Sequence, residues 1–162
     1  MRSRLNKRNG FSLIELLIVV TIILIIAAIA IPNLMRNKIQ ANETAAVETL
    51  RTITGSALLY SNSYGGFPHA LTDLGPAPSG TPASAASADL IDSVLAGGVK
   101  SGYRFTYAPG TTDPAGNVIT YTITASPVAP GSSGQRSFFT DLSGTIRSTS
   151  SGTADATSTP IN

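Results

Sequence analysis

Twenty-one residues, Phe11 to Ile31, contain only three polar side chains: Ser12, Glu15 and Thr21. As a helix this run rises about 31 Å, enough to cross the hydrocarbon core of a bilayer. Just before it, Arg2, Arg4, Lys7 and Arg8 put four positive charges into the first ten residues. By the positive-inside rule, residues 1–10 stay in the cytoplasm and the rest of the chain passes outward. The same bases account for the basic pI of about 9.2. Beyond them seven bases face nine acids. The positive charge therefore belongs to a terminal tag and not to a face that would bind nucleic acid.

Three segments share this layout. A secretory signal peptide has basic residues, an apolar stretch and a small-x-small cleavage pattern, which Ala28-Ile29-Ala30 would supply. A plain signal anchor has the first two features. A third kind accounts for Glu15 and for the junction Lys7-Arg8-Asn9-Gly10-Phe11. A carboxylate inside an apolar span costs about 2.5–3.5 kcal/mol at the centre of a membrane helix and less near its end. In the first turn Glu15 is favoured by the helix dipole and can snorkel to the interface, which explains its location but not the whole string.

The string KRNGFSLIELLIVVTIILIIAAIAIP, unbroken from Lys7 to Pro32, resembles the leader and N-terminal helix of type IV pilins and type II secretion pseudopilins. The resemblance implies cleavage by a prepilin peptidase between Gly10 and Phe11, N-methylation of Phe11, and retention of the apolar helix. It assigns Glu15 to assembly and Pro32 to a helix kink. Cleavage would delete four positive charges and create an α-amine four residues before Glu15. Between subunits offset along a filament, the amine of one could meet the carboxylate of the next, and pairing removes most of the cost of a buried charge. The implied partners are further copies of the chain in a homo-oligomeric helical filament, the peptidase, and an inner-membrane assembly platform with its ATPase. The implied location is the bacterial inner membrane before assembly and a surface pilus or periplasmic pseudopilus after it.

Helical character continues past the apolar run. From Asn33 to Asn62 there is one glycine, Gly55, and no proline. Ala46, Leu50, Ile53 and Ala57 form one apolar stripe, while Arg36, Lys38, Gln40, Asn42, Glu43, Glu48 and Arg51 occupy much of the remainder. One helix is expected from about Phe11 to Tyr60, apolar all round over 11–32 and amphipathic over 33–62, where it must cover something. Pro32 removes a backbone hydrogen bond and crowds the carbonyl of Ala28, so a kink is expected. Asn42-Glu43-Thr44 spells a glycosylation sequon but lies mid-helix and is read as chance.

Of the 25 glycines and prolines, 22 lie beyond Ser63, so the helix must end near there. Residues 63–147 read as a globular head. It starts with a loop in which Phe67, Leu71 and Leu74 pack on the helix, and its Gly66-Phe67-Pro68 segment again resembles pilin-like proteins. Residues 75–88 are low in complexity and read as flexible. Ala88 to Ala96 reads as a short helix with Leu90, Ile91, Val94 and Leu95 on its apolar face. Tyr103-Phe105-Tyr107 and Ile119-Tyr121-Ile123 alternate with polar or small residues, which means an antiparallel sheet covered on one side. Residues 138–141 and 144–147 read as a hairpin about Leu142-Ser143-Gly144. Residues 148–162 have no periodicity and read as a flexible tail. The expected fold is α+β: a long helical spine packed against a small antiparallel sheet.

With no cysteine and one histidine, His69, disulfides, thiolate metal sites and multi-histidine centres are excluded. Many major pilins close a C-terminal loop with a disulfide, and here packing or strand pairing must do that job. No catalytic grouping of nucleophile, histidine and carboxylate stands out, and there is no phosphate-binding glycine loop. The expected class is a structural filament subunit and not an enzyme, with no cofactor. The resemblance to pseudopilins, some of which bind calcium in this region, makes Asp113, Gly116 and Asn117, with Asp141 and Gly144, candidates for a calcium site, although aspartate and glycine at hairpin turns are the simpler explanation. The alternatives are a secretion pseudopilin, a membrane-anchored binding module that never polymerises, and, last, an exported enzyme.

Overall fold

The computed structural model describes residues 11–161. The leader 1–10, including Gly10, lies outside them. The first helix, α1 (Leu13–Tyr64), runs through two compact units that divide between Asn37 and Lys38. In the first unit its large apolar side chains, among them Leu17, Ile22, Leu24 and Ile29, are exposed. Two of its polar side chains bond to their own helix: the Thr21 hydroxyl donates to the Leu17 carbonyl at 2.8 Å and the Asn33 amide to that of Ile29 at 3.2 Å. Helical structure is continuous through Pro32, although Pro32 offers no N–H to the Ala28 carbonyl.

In the second unit, the remainder of α1 carries the stripe. Ala46, Leu50, Ile53 and Ala57 are completely buried, and they join Tyr103, Phe105 and Ile123 in one hydrophobic core. The helix stops where Gly65 takes φ +81° and its N–H bonds back to the Ser61 carbonyl at 2.9 Å. This left-handed cap suits glycine, which has no Cβ to clash. A 3-10 turn, Leu71–Leu74, and a one-turn helix, α2 (Ser93–Ala96), follow. The strands β1 (Val99–Lys100), β2 (Tyr103–Pro109), β3 (Tyr121–Pro127), β4 (Ser137–Asp141), β5 (Arg147–Thr149) and β6 (Thr159–Pro160) form one sheet in chain order. Each pairs antiparallel with the next. The long helix with an antiparallel sheet is the expected α+β, pilin-like layout.

Several local expectations change. The helix read over 88–96 is confined to Ser93–Ala96. Asp89 sits at φ +55°, and the N–H groups of Leu90 and Ile91 both go to the Leu74 carbonyl, so no helix forms before Asp92 caps the Leu95 N–H. Val94 is exposed, not on a buried face, as is Ile119, which precedes β3. The hairpin read about residues 142–144 has a longer loop, because β4 and β5 pair as Phe139 with Arg147. Residues 75–88 are tied down: Tyr60 donates its hydroxyl to the Ala85 carbonyl at 2.7 Å, and Ala88 is buried.

The segment 148–162, expected to be flexible, contains the end of β5 and β6. Its order comes from bonds that leave no hydrophobic period. Asp155 accepts from the N–H and hydroxyl of Thr157 and from the Ser158 hydroxyl, Ser137 donates to the Gly152 carbonyl, and the Ile161 N–H goes to Ile146. Glu43, read as part of the solvated face, is buried. Its carboxylate accepts from the N–H groups of Gln135 (2.9 Å) and Arg136 (3.1 Å) and from Arg136 Nε (2.8 Å). Burial alone would raise its pKa, but these bonds and the guanidinium charge hold it below the usual glutamate value. Beside it, Asn42 donates its amide to the Ser133 carbonyl at 2.8 Å.

Candidate functional site

The candidate site begins where α1 begins. Ser12 stands at the N-cap position and Glu15 at the third residue of the helix. The Glu15 carboxylate accepts the Ser12 backbone N–H at 2.9 Å, while the Ser12 carbonyl accepts the Leu16 N–H at 3.3 Å. Glu15 thus satisfies a helix-start donor that would otherwise need water, and its negative charge lies at the positive end of the helix dipole. This is the glutamate half of a capping box, and its signature, Ser12-Leu13-Ile14-Glu15, stands in the sequence. The first-turn place expected for Glu15 thus comes with a partner, the serine three residues before it.

Phe11 is 82% exposed, so one side of the expected cleavage bond is accessible; Gly10, on the other side, is outside the described residues. From Phe11 to Met35, Glu15 is the only ionisable side chain. The helix that holds it is long and apolar enough to cross a membrane. The arrangement provides one carboxylate at the edge of an apolar span, four residues after Phe11, where a new α-amine would sit, and fixed by a bond to the backbone N–H of Ser12, the residue after Phe11.

The other candidate residues serve turns. Both Asp113 oxygens accept from Asn117, its amide at 3.0 Å and its N–H at 2.8 Å. The Asn117 side chain, then its backbone N–H, hold the Asp113 pKa below the usual carboxylate value. The Gly116 N–H closes the turn on the Asp113 carbonyl. Asp141 accepts from the Ser143 N–H at 2.9 Å, and Gly144 has φ +70°. Among the described residues no cluster of three or more metal-ligating side chains occurs. His69 is exposed.

Residues 5–31 match the family model of the prokaryotic N-terminal methylation motif. Among curated proteins, the chain is 40% identical over 74 residues to the type IV wide pilus major component PilA4 of Thermus thermophilus, covering 44% of this chain and 56% of the relative. It is 50% identical over 52 residues to the type IV major pilin protein PilA of Myxococcus xanthus, covering 32% and 24%. It is 31% identical over 81 residues to the type II secretion system core protein G of Klebsiella pneumoniae, covering 48% and 58%. The chain therefore aligns with no more than about three-fifths of these relatives' own lengths. No solved structure matches. The chain thus carries the prokaryotic N-terminal methylation motif and, over part of its length, is similar both to type IV pilins and to the core protein of type II secretion systems.

Proposed function

We propose that the chain is a structural subunit of a type IV pilus-like filament, anchored in the inner membrane by residues 11–32 and polymerised through the same helix. The observation that supports this best is the exposed apolar first unit of α1 with one carboxylate at its start. In lipid such a helix is stable alone, because its backbone is bonded internally. In water it needs other apolar surfaces, and copies of itself would supply them.

Cleavage between Gly10 and Phe11 removes the four bases that hold the N-terminus at the cytoplasmic face. It also creates an α-ammonium next to Ser12, whose N–H the Glu15 carboxylate already accepts. In the unassembled subunit the carboxylate serves its own helix. In the filament a neighbour's α-ammonium can share it, and only the stagger that brings the two together avoids a buried unpaired charge. N-methylation of Phe11 would preserve that positive charge, as methylation of lysine does. The role is assembly and not catalysis, with force supplied by a separate ATPase.

A secretion pseudopilin is the second reading, favoured by the longer, 81-residue alignment with the secretion core protein. The test is mass spectrometry of the native protein with electron microscopy of sheared surface fractions. A chain beginning at methylated Phe11 and present in long surface filaments is expected. A processed chain found only in the envelope favours the pseudopilin. A chain beginning at Ile31 identifies a secretory signal peptide and overturns both.

A further inference from the structure

A cleft of about 440 Å³ opens on the head between the end of α1 and the loop that follows it. Its volume lies within the range of about 300–1,000 Å³ usual for small-ligand sites. Aromatic rings form its apolar side. Tyr60 and Tyr64 lie with ring centroids 4.7 Å apart, and Phe67 also lines the cleft. Behind Phe67, Tyr121 packs edge-on at 4.8 Å and in turn stacks with Tyr107 at 5.5 Å, so the aromatic wall is backed by a second layer. Gly66 lets the loop approach the opposite side: a Cβ there would fall 2.8 Å from Asn117 Cβ. The Phe67 N–H then bonds to the Val118 carbonyl at 2.8 Å.

The polar groups facing these rings are oriented and only partly used. One Asp73 oxygen accepts the N–H groups of His69 (2.9 Å) and Ala70 (3.0 Å). Asn117 gives its amide hydrogen to Asp113 at 3.0 Å, leaving its side-chain carbonyl as an acceptor. Among the described residues, the other Asp73 oxygen, the His69 ring and the Tyr64 hydroxyl make no hydrogen bond. The cleft thus offers acceptors and donors together beside aromatic faces. Its lining includes a carboxylate and neither lysine nor arginine, which disfavours anions. A simple quaternary ammonium would use the rings and the carboxylate but leave the donors unmatched. A sugar ring matches the whole set: its C–H face packs on aromatic carbon, and its hydroxyls both donate and accept.

We propose that this cleft is a binding site for a neutral saccharide. The site lies wholly within the head, so it is independent of whether the chain polymerises. The chain has no tryptophan, and two of its five tyrosines, Tyr60 and Tyr64, line the cleft, so a change in tyrosine emission can follow its occupation. The full chain, kept in a polyoxyethylene detergent without sugar headgroups, is titrated with cellobiose, lactose and diacetylchitobiose, and separately with tetramethylammonium. A saturable change with at least one sugar is expected, weakened about fivefold to tenfold in Tyr64→Ala through loss of one aromatic contact. Asp73→Asn keeps an oxygen for the two backbone N–H groups and converts the free acceptor into a donor, so it should weaken the same sugar. Val94→Ala, at an exposed site not among the cleft residues, should bind as the parent does. No saturation with any of the three sugars, a response confined to tetramethylammonium, or equal sugar binding in Tyr64→Ala and Asp73→Asn would each overturn the proposal.

Discussion

Residues 13–37 and residues 38–64 belong to one uninterrupted helix, yet they differ in where their apolar atoms go. In the first stretch Leu17, Ile22, Ile25 and Ile29 are all more than half exposed. In the second, Leu50 and Ile53 are fully buried, with tyrosine, phenylalanine and isoleucine of the sheet in the same core. Helix formation is the same local event in both. What differs is the source of the covering surface, which the chain supplies itself only for the second stretch. An element can therefore be fully determined as secondary structure while its packing partners lie outside the molecule.

The sharpest way to break this comparison is to separate the two stretches. A chain beginning at Lys38 keeps the stripe and all six strands. It should dissolve without detergent, sediment as a monomer and give a mixed helix and sheet circular dichroism spectrum, whereas the full chain should need detergent or lipid. A random-coil spectrum from the shortened chain would mean that the head also depends on surfaces outside itself.

Next in size is the effect of Glu15. Glu15→Val should leave insertion intact or improved, because a charge leaves an apolar span. It should cut the yield of sheared filaments more than about a hundredfold, since an α-ammonium buried without its partner costs about 3–5 kcal/mol. Glu15→Gln should also assemble poorly, because the amide keeps the shape and loses the charge. Processing at Phe11, followed by mass spectrometry, separates assembly from cleavage. Normal filaments from processed Glu15→Val would show that the carboxylate is only a cap for its own Ser12.

Within the head, Ile53→Ala should cost about 2–5 kcal/mol in urea unfolding through the cavity it leaves, while Ile23→Ala, at a site 57% exposed, should leave head stability unchanged. Glu43 adds a pH dependence. Its folded pKa lies below the reference value of 4.5, so its contribution is complete above about pH 4.5 and is lost as pH falls through the folded pKa. The parent should lose stability on acidification through that window more steeply than Glu43→Gln. The variant should be about 1–2 kcal/mol less stable at neutral pH, because the neutral amide replaces the charge-assisted bonds to the Gln135 and Arg136 N–H groups, while the Arg136 side chain, 44% exposed, can turn to water. Parallel pH profiles for the two would contradict this assignment.

The long helix, the buried stripe and the alternating strands were legible because each depends on a repeating hydrophobic pattern. Tyr103, Phe105, Tyr121 and Ile123 are all buried at alternate positions, as period two requires. The boundaries that failed depend on single polar bonds. Nothing in the hydropathy of Ala88–Ile91 says that Leu90 and Ile91 direct their N–H groups to Leu74, or that Asp89 adopts a positive φ. The ordering of 148–161 rests on Asp155 and on backbone pairing, neither of which leaves a periodic trace. At the start of α1 the motif made Glu15 conspicuous, but its bond to Ser12 was legible only as the spacing of a capping box. Glu43 looked like its exposed neighbour Glu48, because the loop that buries it lies about 90 residues away in the chain.

The smallest expected effect concerns Gly55, near the middle of the amphipathic stretch. It is exposed within a helix, has no positive φ, and a Cβ built there would meet nothing within 4 Å. Nothing within the chain therefore requires glycine, which costs about 1 kcal/mol relative to alanine at such a position. Gly55→Ala should stabilise the chain beginning at Lys38 by about that amount, read as a rise of about 3–5 °C in Tm. If the uncovered face of this stretch is where a neighbouring subunit approaches closely, the same substitution should lower filament yield while raising head stability. A stabilised head with unchanged filaments would place the contact between subunits elsewhere, and the need for outside surfaces would then be confined to the first stretch of the helix.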